Sequence, residues 1–428
     1  MVLLPRALLI LLLPTALLFG QAPSEEEQRF LYSIVPLIEA RSFAEAEAGL
    51  LEALKQYPRS AILQNALGIV YRQENKPEAA IAAIEKALEI LPQFTAAQLH
   101  LGSLYAEAHR CGQAIPLLVA ASDGTTNEGA LATAGLSLAQ CEDYRRAAVA
   151  LRKASALNPN SASMTYNLAL ALYKDGQFKE ALEALNSLPE SDRETEDALS
   201  LRGRIRADAG VELIRNERYQ EAADLLQASS GKAESSVAVL SAFGLAQFRL
   251  GRYRDAIQTY SRAIQLDSKL DAPREGLAFL LYMTGDLEQA RTIAEQGLTN
   301  PDADFYLSHL HSMILYRISR ELWLEALKSV SRALKQNASF APGYFLRGKI
   351  EMEQGDLAAA LLDFQAAVKL DSKFPLPYYK MAQIYIRQGR GAEAEASRKR
   401  FSELGSLREE EVLTRQTQDT LLGAVKAR

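Results

Sequence analysis

The 428-residue chain carries 48 Lys and Arg against 53 Asp and Glu, a formal net charge of −5, and this acidic balance excludes a nucleic-acid binder, which needs a basic stripe. A single globular core of 428 residues would be oversized. Ala and Leu are abundant, and no run of alternating Val, Ile and Thr lies between hairpin turns, so the pattern favours packed helices over a sheet.

At the N-terminus Arg6 precedes an apolar run, Ala7 to Phe19, followed by Gly20, Gln21 and Ala22. The run is shorter than the about 20 residues that span a bilayer, and small residues stand where a signal peptidase reads. Residues 1–22 are therefore expected to be a signal peptide cleaved near Ala22, with residues 23–26 as a polar lead-in. An uncleaved anchor is the alternative. No cysteine flanks the cleavage site, which argues against lipid attachment, and no second apolar segment follows. The mature product, with net charge −6 once Arg6 is lost, is expected in the periplasm or secreted, without a transmembrane segment.

From residue 27 to residue 408 one pattern repeats about every 34 residues. Its clearest copy holds Leu67, Gly68, Tyr71, Ala80, Ile81, Ile84, Ala87 and Leu88. A small residue recurs at Ala46, Ala80, Ala114, Ala147, Ala181, Ala222, Ala256, Ala290, Ala326, Ala360 and Ala394. Twelve residues earlier a second small residue usually stands, as at Gly68, Gly102, Gly135, Gly210, Gly244 and Gly348. Two helices approach closely only where no large side chain intervenes, and overpacking such a contact costs about 1–3 kcal/mol. Gly176, Gly251, Gly285, Gly355 and Gly389 mark the turn between the helices, and Tyr144, Phe178, Tyr219, Tyr253, Leu287, Trp323 and Leu357 enter the second helix. A helix pair of this length cannot bury its apolar face alone and must stack on its neighbours.

Stretches such as residues 243–267, FGLAQFRLGRYRDAIQTYSRAIQLD, closely resemble the tetratricopeptide repeat family. The resemblance covers nearly the whole mature chain and implies an all-α fold, a right-handed α-solenoid superhelix of about eleven stacked helix-turn-helix units. The units start near Glu27, Ala61, Thr95, Glu128, Ala162, Gly203, Val237, Asp271, Leu307, Ala341 and Pro375. They group as N-terminal units over residues 27–202 and C-terminal units over 203–408, with extra residues and a joint expected around 194–216 and a loop at 228–236. The first and ninth units are the most degenerate, with Ile34 and Ile314 where the small first-helix residue is expected. Residues 409–428 read as a capping helix or a tail, the cap being favoured because an open solenoid end exposes apolar surface.

The resemblance further implies a concave groove, lined by the first helices, in which a protein or peptide partner lies. Carried over unit by unit, the groove positions of the second half are Phe248 and Arg249, then Phe279, Tyr282 and Met283, then His311, then Phe345 and Lys349, and last Tyr379, Gln383 and Arg387. Aromatic rings give contact area at little entropy cost, and Arg pairs with carboxylates while stacking on rings. The competing role for any of these residues is packing between adjacent first helices. The lysines of the family's clamp for a terminal carboxylate are missing beside Asn65 and Asn167.

Cys111 falls near the start of the second helix of the third unit and Cys141 near the end of the first helix of the fourth, at one edge of the stack. They form a disulfide if their Cα atoms lie about 4.4–6.8 Å apart; otherwise they are two small buried thiols. Catalytic chemistry is not expected. His309 and His311 are one residue apart and point to different sides of a helix, a poor metal clip, and no HExxH, CxxC, phosphate loop or GxSxG elbow occurs. No cofactor is expected. The leading reading is an exported bacterial scaffold, not an enzyme, that binds a protein or peptide in its groove. The alternatives are a structural or assembly factor of an envelope secretion or polysaccharide-export machine, in which the array self-associates or stacks on other parts, and a carbohydrate-binding accessory whose aromatics stack on sugars.

Overall fold

The computed structural model describes residues 25–230 and 236–405. The expected signal peptide, most of the 228–236 loop and the 409–428 cap or tail lie outside the described residues. The described residues form 23 α-helices and one short 3-10 helix, with no strand among them. No helix among them is long and apolar enough to cross a membrane. The chain divides into two compact units, Met1–Leu201 and Arg202–Arg428.

The first unit is a series of antiparallel hairpins: α1 (Glu25–Glu39) with α2 (Phe43–Gln56), α3 (Ala61–Gln73) with α4 (Pro77–Ile90), α5 (Thr95–Glu107) with α6 (Cys111–Asp123), α7 (Glu128–Gln140) with α8 (Tyr144–Leu157), and α9 (Ala162–Lys174) with α10 (Phe178–Asn186). A single turn, α11 (Glu190–Arg193), precedes α12 (Glu196–Arg215), within which the division between the units falls. In the second unit α12 is followed by α13 (Tyr219–Ser230). The next hairpins are α14 (Val237–Arg249) with α15 (Tyr253–Leu266), α16 (Asp271–Thr284) with α17 (Leu287–Leu298), α18 (Phe305–Ile318) with α19 (Trp323–Gln336), α20 (Ala341–Gln354) with α21 (Leu357–Leu370), and α22 (Pro375–Arg387) with α23 (Gly391–Leu404).

The small residues hold each hairpin together. A Cβ added to Gly68 would lie 2.3 Å from Ile84 Cγ1 and 3.1 Å from the carbonyl oxygen of Ala80, so the two small residues of the repeat mark the point where the helices touch. The same contact recurs between Gly102 and Leu118, Gly135 and Leu151, and Gly210 and Leu226. In the first hairpin, where Ile34 occupies the close position, the glycine has moved to the partner helix: a Cβ on Gly49 would stand 3.0 Å from Ile34 Cδ1.

First helices form the more buried layer in both units. From α3 to α9 and from α14 to α22, each first helix packs on its own second helix and on the second helix of the hairpin before it, and successive first helices touch. Ten residues of α5 are buried but only four of α6, and eleven of α16 but only three of α17. Buried polar bonds tie first helices together across hairpins, His100 Nδ1 to Asn65 Oδ1 at 2.9 Å and Ser103 Oγ to Ser137 Oγ at 3.1 Å. Burial pushes the His100 imidazole down to about 4, so it is neutral at neutral pH.

The turn between the helices uses one left-handed residue. It is glycine at 176, 251, 285, 355 and 389, but Arg41, Asn75, His109, Glu142 and Glu217 take the same positive φ at the equivalent positions of their hairpins. The ninth hairpin departs from this rule. Ser319 is extended, and the 3-10 turn Arg320–Leu322 inserts two residues before α19.

Candidate functional site

Repeat periodicity places one face of α16, α18 and α20 side by side, and a cavity of about 220 Å³ opens between them in the second unit. It is lined by Tyr282 of α16, by His309, Met313, Tyr316 and Arg317 of α18, and by Phe345, Leu346 and Lys349 of α20. The walls are aromatic and aliphatic, with two cations at the edge. Arg317 Nη1 donates to the Tyr282 carbonyl oxygen at 2.8 Å, and its guanidinium lies 4.8 Å from the centre of the Tyr282 ring. Lys349 Nζ stands 4.9 Å from the Tyr316 ring. That ring is stacked on Trp323 at 5.5 Å between centres, and Trp323 Nε1 donates to the Tyr316 carbonyl oxygen at 3.2 Å. Each cation is thereby held against an aromatic ring at the edge of the cavity.

The floor is dry. His309 is buried with its ring edge-on to Phe340, 4.9 Å between centres, and burial pushes the imidazole down to about 3. It is therefore a neutral wall of the cavity at physiological pH.

The positions expected to line a groove divide into four groups. Tyr282, Phe345 and Lys349 line the cavity. Phe248, Phe279 and His311 are buried: Phe248 and Phe279 meet edge to face at 5.8 Å and Phe279 stacks on Tyr282 at 6.4 Å, which makes these two rings the mortar between α14 and α16. Phe345 is also nearly closed off, meeting Phe374 at 5.2 Å, so it supports the cavity from below. Arg249 lies over the Tyr219 ring, 4.3 Å from its centre, and hydrogen-bonds to its hydroxyl, while Met283 is partly buried against the core. Tyr379, Gln383 and Arg387 stand on α22, apart from the cavity. Tyr379 packs on Phe401 of α23 at 5.3 Å and is 44% exposed, because no further hairpin among the described residues covers the position that α22 covers at Phe345.

The sequence pattern misses His309, Met313, Tyr316 and Arg317 as groove residues because the ninth repeat begins two residues earlier, at Phe305, than the spacing of its second-helix alanine implies. The small residue that meets α19 is Ser312, whose hydroxyl donates to the Ala326 carbonyl oxygen at 2.8 Å, and not Ile314. The stacked pair Tyr316 and Trp323 is seven residues apart, whereas its counterpart Phe248 and Tyr253 is five apart, which places the two extra residues in the turn. His311 is thereby turned away from the cavity toward α17 and α19.

In the first unit Cys111, the first residue of α6, and Cys141, at the C-terminal end of α7, are joined in a disulfide with their Cα atoms 5.4 Å apart. It ties the third hairpin to the fourth.

Two models described as tetratricopeptide repeat match residues 37–93 and 207–271, and 138–205 and 247–314, and a third described as TPR repeat matches 348–389. Together they take in more than half of the chain. Anaphase-promoting complex subunit 3 of Schizosaccharomyces pombe is 22% identical over 253 residues, 59% of this chain and 36% of that protein, so the chain spans about a third of that relative's length. Among solved structures, that of Naa15/Naa10 bound to HypK-THB has a TM-score of 0.50 at 15% identity, over 87% of this chain and 68% of the other. The hetero-tetramer Cut9-Hcn1 has a TM-score of 0.43 at 14% identity, over 92% and 89%. At these identities the likeness is one of fold.

Proposed function

Because the chain belongs to the tetratricopeptide repeat family, we propose that it is a non-catalytic scaffold that holds a protein or peptide partner on the first helices of its second unit. The observation that carries this reading is the cavity between α16, α18 and α20, apolar within and edged by Arg317 and Lys349. It suits an apolar partner side chain flanked by a carboxylate: the rings of Tyr282 and Tyr316 supply contact area, and the two cations supply charge complementarity. The similar Naa15/Naa10 structure is itself described with a third component bound, which fits a scaffold role for such folds. Export to an oxidising compartment is part of the proposal, supported by the Cys111–Cys141 disulfide, since cytosolic reductants keep most thiols reduced.

The test is crosslinking in the native host from a photoreactive residue at Tyr282, with a second strain carrying it at Glu288 on α17. A discrete adduct from Tyr282, lost when Lys349→Glu and Arg317→Glu reverse the charge of the rim, is the expected result. Adducts arising mainly from Glu288, or only with further copies of this chain, would move the reading to an assembly factor.

A further inference from the structure

His311 points out of the partner cavity's side of α18 and into a gap between the second helices on either side. There it meets two carboxylates from different hairpins, Glu295 of α17 and Glu325 of α19, and one donor atom from each of the three residues lies within 4.8 Å of the others. The His311 side chain is only 6% exposed, and its Nε2 has no hydrogen-bond partner. That nitrogen stands 3.7 Å from Glu295 Oε1, too long for a hydrogen bond. The other ring nitrogen, Nδ1, is 2.9 Å from Ser329 Oγ. The hydroxyl there can accept a hydrogen bond from Nδ1–H, which leaves the lone pair on Nε2 facing the carboxylates. Burying an imidazole nitrogen with no partner costs free energy unless something fills the gap.

We propose that Glu295, His311 and Glu325 form a binding site for a divalent cation of the zinc class, clasping the eighth repeat to the ninth. One imidazole and two carboxylates are a donor set that Zn²⁺ takes, with water completing a tetrahedron, whereas Ca²⁺ and Mg²⁺ prefer oxygen alone. Donors on one tetrahedral zinc stand about 3.4 Å apart for bonds of about 2.0–2.1 Å. The His311 to Glu295 separation is already close to that, and Glu325, on a partly exposed helix face, closes the rest by a rotamer change. Ser329 is the orienting partner that a ligating histidine uses on its second nitrogen. Arg291 opposes the ion, since its Nε donates to Glu295 Oε1 at 2.6 Å. The cluster is particular to the ninth repeat, since the equivalent position in the preceding hairpin is Leu277, a core residue.

The experiment is calorimetric titration of Zn²⁺ into the metal-stripped full chain, with the Cys111–Cys141 disulfide intact so that no thiolate competes. One equivalent is expected to bind saturably. Glu295→Gln and Glu325→Gln, which keep side-chain shape, should each weaken binding by at least about tenfold, the factor that about 1.4 kcal/mol represents. Ser329→Ala should weaken it about 10–100-fold with the stoichiometry unchanged. Arg291→Gln, which frees Glu295, should tighten it, a change that a purely structural cluster would not produce. Glu288→Gln, on the same helix but outside the cluster, should leave it unaltered. Absence of saturable binding, or binding that persists undiminished in the Glu295→Gln and Glu325→Gln chains, would overturn the proposal. Neither result bears on the partner cavity, whose residues are untouched.

Discussion

A methyl group placed on Gly68 would come within 2.3 Å of Ile84 Cγ1 and 3.1 Å of the Ala80 carbonyl oxygen, so this glycine sets the distance between α3 and α4. Gly68→Ala should therefore destabilise the chain by about 1–3 kcal/mol, the usual range for overpacking. Gly112→Ala is the control, since a Cβ there meets nothing within 4 Å and the position lies in the first turn of α6. Guanidinium denaturation followed by circular dichroism should show the first unit melting earlier in Gly68→Ala and no earlier in Gly112→Ala.

The inter-helix turn offers the opposite test. Glu142 and Glu217 hold positive φ values of 58° and 59°, where Gly251 and Gly285 do so without a Cβ. The left-handed region costs an L-residue about 1–2 kcal/mol. Glu217→Gly removes that cost, offset in part by the larger backbone entropy glycine loses on folding, and should raise the thermal midpoint slightly. Gly285→Ala, at φ 88°, should lower it, by more than Glu217→Gly raises it. A Glu217→Gly chain that melts clearly earlier than the parent would show that the Glu217 side chain contributes more than the turn strain takes away.

These two positions also show how far the sequence could be read. The contact of Gly68 with Ile84 follows from the spacing of small residues, because close approach leaves no choice of side chain. The turn at Gly176 or Gly251 was legible for the same reason, but Glu142 and His109 adopt the same backbone without announcing it, since the surrounding hairpin imposes it. Phe248 and Phe279 have the period of a groove face and yet are buried, because in a stacked array the side of a first helix facing its neighbour lies next to the side facing a ligand. Period alone does not separate the two. In the ninth repeat Ser312 and Ile314 are both fully buried, and the hydrogen bond from Ser312 to Ala326, with the Tyr316–Trp323 spacing, tells which one meets α19. That ambiguity hid Tyr316 and Arg317 from the groove. The cluster of His311 with two glutamates was equally illegible, as its members come from three helices at no motif spacing.

The disulfide supplies a redox prediction. Cys111 and Cys141 are 30 residues apart, and closing a loop of that size stabilises by about 3–4 kcal/mol in the chain-entropy model. Reduction should lower the midpoint of the first unit's transition. Cys111→Ser should reproduce the shift and make the chain insensitive to reductant. Equal melting of oxidised and reduced protein would show that the flanking hairpins already hold α6 and α7 in place.

Glu351 provides a pH test in the second unit. Its carboxyl is half-buried beside the ion pair of Arg347 with Asp363, whose two hydrogen bonds measure 2.6 and 2.7 Å. Burial, reinforced by the negative charge of Asp363, pushes the Glu351 carboxyl up from 4.5 to about 7, with Arg347 opposing the rise. The folded state thus holds the proton more tightly than the unfolded state. Its contribution to stability is fully present below about pH 4.5, falls as pH rises toward 7 and is absent above that. Glu351→Gln keeps the shape and stays neutral at every pH. It should match the parent near pH 4.5 and melt higher at pH 8, by about 2–4 °C if the difference is about 1 kcal/mol. Midpoints measured from pH 5 to pH 8 should diverge in that direction. Parallel curves for the two chains would mean that Arg347 holds Glu351 ionised across the range and that burial does not dominate.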